Sequence, residues 1–207
     1  VAMGGGSSRY SNGNTSTTVN ITGGVVYAEA RGGVAIGGGS SATKNGGAAT
    51  VNISNDAVVT AKSIEGKYTY SEKEYTVKAG SGIGGGTGGT TGNGGNANVT
   101  ISGGTITSGT IGGGEMNNTT GVINGRILMN IGTFNMSGGT LTGGISENGG
   151  CVQMNGGDAT ITGGEITKCN ASSNGGAIYL NGGTFTATGG AIYDNKAMAD
   201  GGAVYLG

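Results

Sequence analysis

Three Gly-Gly pairs recur at a fixed interval in the last third of the chain: Gly149, Gly175 and Gly201 each open a pair 26 residues after the one before. The rows agree beyond glycine, because Gly149-Gly-Cys-Val-Gln-Met, Gly175-Gly-Ala-Ile-Tyr-Leu and Gly201-Gly-Ala-Val-Tyr-Leu share one pattern. A period of this size marks stacked repeats, each burying its apolar face only against its neighbours. It also decides how the composition is read. Glycine is 52 of 207 residues and proline is absent. Without a period that glycine content would mean low complexity or disorder. With one, glycine is a geometric requirement at repeated corners, and the lack of proline suits strands whose N–H groups all donate to a neighbour.

Within each row, short stretches of alternating apolar residues are bounded by Asn-Gly or Gly-Gly, the mark of strands about four residues long separated by turns that need positive φ. One stretch recurs six times: Thr18-Val-Asn-Ile-Thr22, Thr50-Val-Asn-Ile-Ser54, Asn98-Val-Thr-Ile-Ser102, Thr133-Phe-Asn-Met-Ser137, Asp158-Ala-Thr-Ile-Thr162 and Thr184-Phe-Thr-Ala-Thr188. Strand side chains alternate between faces, so the Val, Ile, Phe, Met and Ala positions form a core column. Val152, Met154, Ile178, Leu180, Val204 and Leu206, with Leu141, Ile166 and Ile192, supply the other walls. Three short strands per row and tight turns between rows predict an all-β fold, a parallel β-helix of six to seven coils of about 26 residues. Right-handed winding is the expected sense.

The N-terminal half keeps this plan with a looser period. Val1-Ala-Met-Gly-Gly-Gly-Ser-Ser8 returns as Val34-Ala-Ile-Gly-Gly-Gly-Ser-Ser41, and Ile83-Gly-Gly-Gly86 and Ile111-Gly-Gly-Gly114 are further copies. Residues 62–80 interrupt it. They hold seven of the 21 charges and three of the eight tyrosines, Tyr68, Tyr70 and Tyr75, and predict a β-hairpin turning at Ser71 to Glu74. Insertions in solenoids map to one face and are often the binding element, so these tyrosines are candidate binding residues.

The Gly-Gly-Ala-aliphatic motif at Gly175 to Ile178 and Gly201 to Val204, followed by Ile192-Tyr-Asp-Asn195, resembles the G-G-A-[ILV] and F-x-x-N repeats of chlamydial polymorphic outer-membrane proteins and related bacterial surface adhesins. Ile166 and Ile192 stand where that family has Phe, and Cys169 where it has Asn. The likeness covers residues 149–207; the Ile-Gly-Gly-Gly rows resemble, more loosely, glycine-rich surface proteins of gut bacteria. The resemblance implies display outside the cell and adhesion, as the stalk of a longer protein.

Chemistry-bearing residues are sparse. Histidine and tryptophan are absent, which removes the commonest general base and metal ligand and a favoured sugar-stacking ring. Polysaccharide-cleaving β-helices need clustered carboxylates; the nearest approaches here are Glu147 with Asp158, and Glu165 with Asp194. The expectation is a non-enzymatic protein without cofactor, with a carbohydrate-active β-helix as the alternative. Gly80-Ser-Gly-Ile-Gly-Gly85 fits a G-x-G-x-x-G pattern, but no long helix follows for a phosphate to cap.

The outward positions of the six stretches, among them Thr160, Thr162, Thr184, Thr186 and Thr188, predict a flat, neutral ladder of hydroxyls and amides. Such a ladder would serve solubility, meet a host or neighbouring-cell glycan or protein, or bind ice as Thr-rich solenoid faces do. A net charge of −1 argues against nucleic acid, and no run of 18 apolar residues suggests membrane insertion. Cys151 and Cys169 either form a disulfide or remain two thiols, with Cys151 expected to face away from the core column. Both ends fall inside a repeat and lack an atypical capping row. That leads to the expectation of excision from a longer array or, alternatively, end-to-end self-association.

Overall fold

The computed structural model describes residues 3–4, 16–41, 44–70, 72–77, 80–85, 95–112 and 115–207. These contain strands and no helix. All described strand pairings are parallel except one hairpin, the character of a β-solenoid.

Three parallel columns enclose the core. In the first, Ser16–Ile21, Ala48–Ile64, Ala97–Gly112, Glu115–Asn118, Thr133–Thr142, Asp158–Thr167 and Thr184–Ala187 pair in that order. Their inward register runs Val19, Val51, Val99, Met116, Phe134, Ala159, Phe185. The second column runs Val26, Val59, Ile106, Ile123, Leu141, Ile166, Ile192. The third runs Met3, Ile36, Ile83, Ile111, Ile127, Val152, Ile178, Val204. All three walls meet in one hydrophobic cluster. Each fully buried Ile, Val or Phe contributes about 1.5–3 kcal/mol relative to exposure. That burial, repeated on every pass of the chain, is what the alternating strand pattern secures. Phe134 fits between the smaller Ala159 and the flexible Met116, so volumes balance between layers.

The first column contains a strand that the sixfold alignment omits. Glu115–Asn118 lies between Ala97–Gly112 and Thr133–Thr142, with Met116 paired to both Val99 and Phe134. Val99 to Met116 is therefore 17 residues and Met116 to Phe134 is 18, whereas Phe134 to Ala159 is 25 and Ala159 to Phe185 is 26. The 26-residue spacing belongs to the C-terminal passes, and two shorter passes precede them. The strand hides in the sequence because Asn118 occupies a core position that holds Ile101 before it and Met136 after it. Its buried amide closes the next turn in both directions: the Gly121 N–H donates to Asn118 Oδ1 at 3.1 Å, and Asn118 Nδ2 donates to the Gly121 carbonyl at 3.2 Å.

The extra length of the long passes is a corner. Ile145–Ser146, Asn170–Ala171 and Lys196–Ala197 form a separate three-stranded parallel sheet. Beside it the Asn174 N–H donates to Asn148 Oδ1 at 3.2 Å and the Asp200 N–H to Asn174 Oδ1 at 3.0 Å, so the residue before each Gly-Gly pair receives its counterpart from the next pass. Close approach explains the Ile-Gly-Gly-Gly motif as well. A Cβ on Gly37, at φ +140°, would fall on the Gly84 carbonyl. Of the first copy of that motif only residues 3–4 lie within the described residues, and they pair with Ile36 and Gly37.

Candidate binding faces

The outward side of the first column carries the expected ladder. Thr18, Thr50, Asn98, Thr133, Asp158 and Thr184 share one register row, and Asn20, Asn52, Thr100, Asn135, Thr160 and Thr186 the next. Asn52 Nδ2 donates to Asn20 Oδ1 at 2.8 Å, so part of the ladder's polar capacity is spent on itself. Thr184, Thr186 and Thr188 are exposed, as is Thr162, while Thr160 is half-buried. The ladder is not neutral: exposed Asp158 stands in its first row between Thr133 and Thr184. It is also not a simple grid, since the register shifts on either side of Ser137.

The insertion after Ile64 is an antiparallel hairpin of Gly66–Tyr70 and Lys73–Val77. Tyr68 lies opposite Tyr75 and Tyr70 opposite Lys73. Glu74 pairs with Thr69 inside the second strand, not in the turn expected at Ser71 to Glu74; Ser71 itself lies outside the described residues. Residues 62–64 belong to the preceding long strand rather than to the insertion. Lys67 Nζ meets Glu74 Oε1 at 2.9 Å in an exposed ion pair. Ser63 pins the root, donating to the Gly33 carbonyl at 2.5 Å and accepting from the Gly80 N–H at 2.9 Å.

Sequence reasoning passed over the outward side of the second column. Its register rows are Val25, Val58, Thr105, Val122, Thr140, Glu165, Ala191 and, two residues on, Tyr27, Thr60, Thr107, Asn124, Thr142, Thr167, Tyr193, of which Thr167 is buried. The four central passes place no charged residue in either row. Lys62 and Arg126 follow at the edge, where Arg126 is half-buried, its Nε lacks a hydrogen-bond partner, and burial lowers its pKa. Each end of the face carries a tyrosine joined to a carboxylate: Tyr27 Oη donates to Glu29 Oε2 at 3.0 Å, and Tyr193 Oη to Glu165 Oε2 at 3.1 Å. Both phenol pKa values are raised, first by that hydrogen bond and then by the carboxylate's charge. The signal lies in Thr105-Ile-Thr107 and Thr140-Leu-Thr142, which repeat the alternation of the first column.

The carboxylates considered for catalysis are distributed. Glu147 sits at the corner beyond Ile145–Ser146 and Asp158 opens a first-column strand, and both are exposed. Glu165 lies opposite Ala191 and is engaged by Tyr193, whose neighbour Asp194 adds to the field on that phenol.

Cys151 and Cys169 are disulfide-bonded. Both are fully buried, so Cys151 does not face away from the core: after the Gly149–Gly150 corner, Cys151 and Val152 turn inward together. The bond replaces a polar tie made one pass later, where Asn195 Oδ1 accepts the Cys169 N–H at 2.9 Å and Asn195 Nδ2 donates to the Ile166 carbonyl at 2.9 Å. Asn195 stands 26 residues after Cys169, and the adjacent passes close the same corner by different chemistry.

Compared with protein-family models, curated proteins and solved structures, the chain matches none.

Proposed function

We propose that this chain is a non-enzymatic, extracellular structural and adhesive module, a stalk or fibre-forming segment of a bacterial surface protein. The passes are taken as turns of a parallel β-helix wound right-handed, as parallel crossovers are, with seven first-column strands giving seven turns among the described residues. The observation that carries the location is the Cys151–Cys169 disulfide, since such bonds persist in oxidising, extracytoplasmic settings. The likeness of the Gly-Gly-Ala-aliphatic rows to surface adhesins points the same way. Adhesion to a glycan or a protein on a host or neighbouring cell fits broad, exposed strand faces.

Antibody labelling of intact cells that carry the gene tests the location: label before permeabilisation supports it, and label only afterwards contradicts it. Beads coated with the folded chain should adhere to a target cell layer. The fibre version adds end-to-end association. Sedimentation that does not change with concentration would remove it. A carbohydrate-active reading is favoured only by Glu165, Tyr193 and Asp194 lying together. Cleavage of a polysaccharide that is lost on changing Glu147, Asp158, Glu165 or Asp194 to its amide would replace the adhesive reading.

A further inference from the structure

We infer that the outward face of the second column is a binding site for an extended, neutral glycan chain lying along the stacking axis, held at its two ends by Tyr27 and Tyr193. The inference rests on the adhesive reading and moves the contact away from both the hairpin and the first-column ladder.

The register supports it first. Tyr27 and Tyr193 occupy the same row at the first and seventh of its members. Six steps of about 4.8 Å separate them, roughly 29 Å. A ligand that meets both must therefore be long and must follow the axis.

Side-chain chemistry then sets the ligand class. The central passes offer hydroxyls and β-branched methyls, a floor that hydrogen-bonds and packs against a hydroxylated, weakly apolar ring without selecting charge. Val25 and its register partner Val58 are exposed beside Tyr27 and Thr60, so the apolar surface at this end is shared by neighbouring passes. Tyr27 and Tyr193 remain 60% and 43% exposed although each hydroxyl is held by a carboxylate. Both rings are thus oriented before a ligand arrives, and stacking on them costs little ordering entropy. The first-column ladder differs: its exposed Asp158 meets no tyrosine, because none lies in either of its rows, whereas Glu165 in the second column is engaged by Tyr193.

The test uses the full chain and unbranched neutral oligosaccharides of increasing length, from cello-, xylo- and manno-series, titrated by calorimetry beside an anionic control, oligogalacturonate. Affinity should rise with length in at least one neutral series and level off once the ligand spans the two tyrosines. Thr107→Glu, an exposed central position, should weaken binding about tenfold or more, as should Tyr27→Ala and Tyr193→Ala. Thr186→Glu on the first-column ladder should leave it unchanged. Circular dichroism and melting of Thr107→Glu confirm folding, and hydrogen-exchange footprinting should show protection at residues 105–107 and 140–142 with the ligand. Equal binding by Thr107→Glu, preference for oligogalacturonate, or no binding in any neutral series overturns the inference. If coated beads still adhere to cells in those cases, the adhesive reading stands; if adhesion fails as well, both fall.

Discussion

Residues 97–132 and residues 133–207 use the same walls at different cost in chain. In the first region a pass takes 17 or 18 residues, and in the second 25 or 26. The strands hardly differ, since Val99, Met116, Phe134 and Ala159 stack in one register. The corners differ. Between the second and third columns the short passes take 5 residues, Ile106 to Ile111, or 4, Ile123 to Ile127 across the Gly125 to Arg126 bulge, while the long passes take 11 or 12 there, adding the small sheet through Ile145–Ser146, the Asn148 to Asn174 to Asp200 tie and the disulfide. Pass length is therefore a property of corners, and the core register tolerates changes in it.

If the core is shared, its deletion should hurt regardless of pass length. Phe134, fully buried where a short pass meets a long one, should cost about 4 kcal/mol on truncation to Ala, seen as a lower urea midpoint. A loss below about 1 kcal/mol would mean the two regions do not share a wall there.

Corner chemistry should separate the regions. Reducing the disulfide, or replacing Cys151 and Cys169 by Ser, should destabilise by about 3 kcal/mol for a loop of this length. The local effect should appear as faster hydrogen exchange in residues 145–171 and not in residues 97–129. Asn118→Ala should do the reverse. It strands the buried Gly121 N–H, at about 1–3 kcal/mol, while the Gly121 carbonyl keeps the Thr140 N–H, and loosens residues 115–124 first. Equal loosening of both regions in either experiment would undo the division.

Surface pairs should matter least. Lys67→Ala in the hairpin removes an exposed ion pair worth about 0.2–1 kcal/mol at most, and high salt should erase the difference. Tyr27 and Tyr193 should ionise above the ordinary tyrosine range in a spectrophotometric titration. Their folded pKa values are raised, so the stabilising contribution is present below the unfolded pKa and lost as pH rises through the folded one. Glu29→Gln should return Tyr27 toward the ordinary range and leave Tyr193 unmoved.

Much of the architecture could be read from alternation and glycine spacing, because those are backbone requirements written residue by residue. Val19, Ile53, Ile161 and Leu180 point inward as expected. What escaped the pattern did so for physical reasons. Asn118 broke the apolar alternation by serving a turn from inside the core, which hid Glu115–Asn118 as a strand. Cys151 appeared to face outward by counting from Ala177, but both residues turn inward after their Gly-Gly corner. The second-column face escaped because its membership depends on which residues come into register across passes of unequal length, and a fixed period cannot report that.

One parallel column runs unbroken through passes of unequal length, with Glu115–Asn118 as the step between Ala97–Gly112 and Thr133–Thr142. Backbone nuclear Overhauser contacts at Met116 would reveal that step. Contacts are expected from the Met116 strand to Val99 on one side and to Phe134 on the other, with neighbouring strands about 4.8 Å apart. Direct contacts between Val99 and Phe134, with Met116 outside the column, would contradict it.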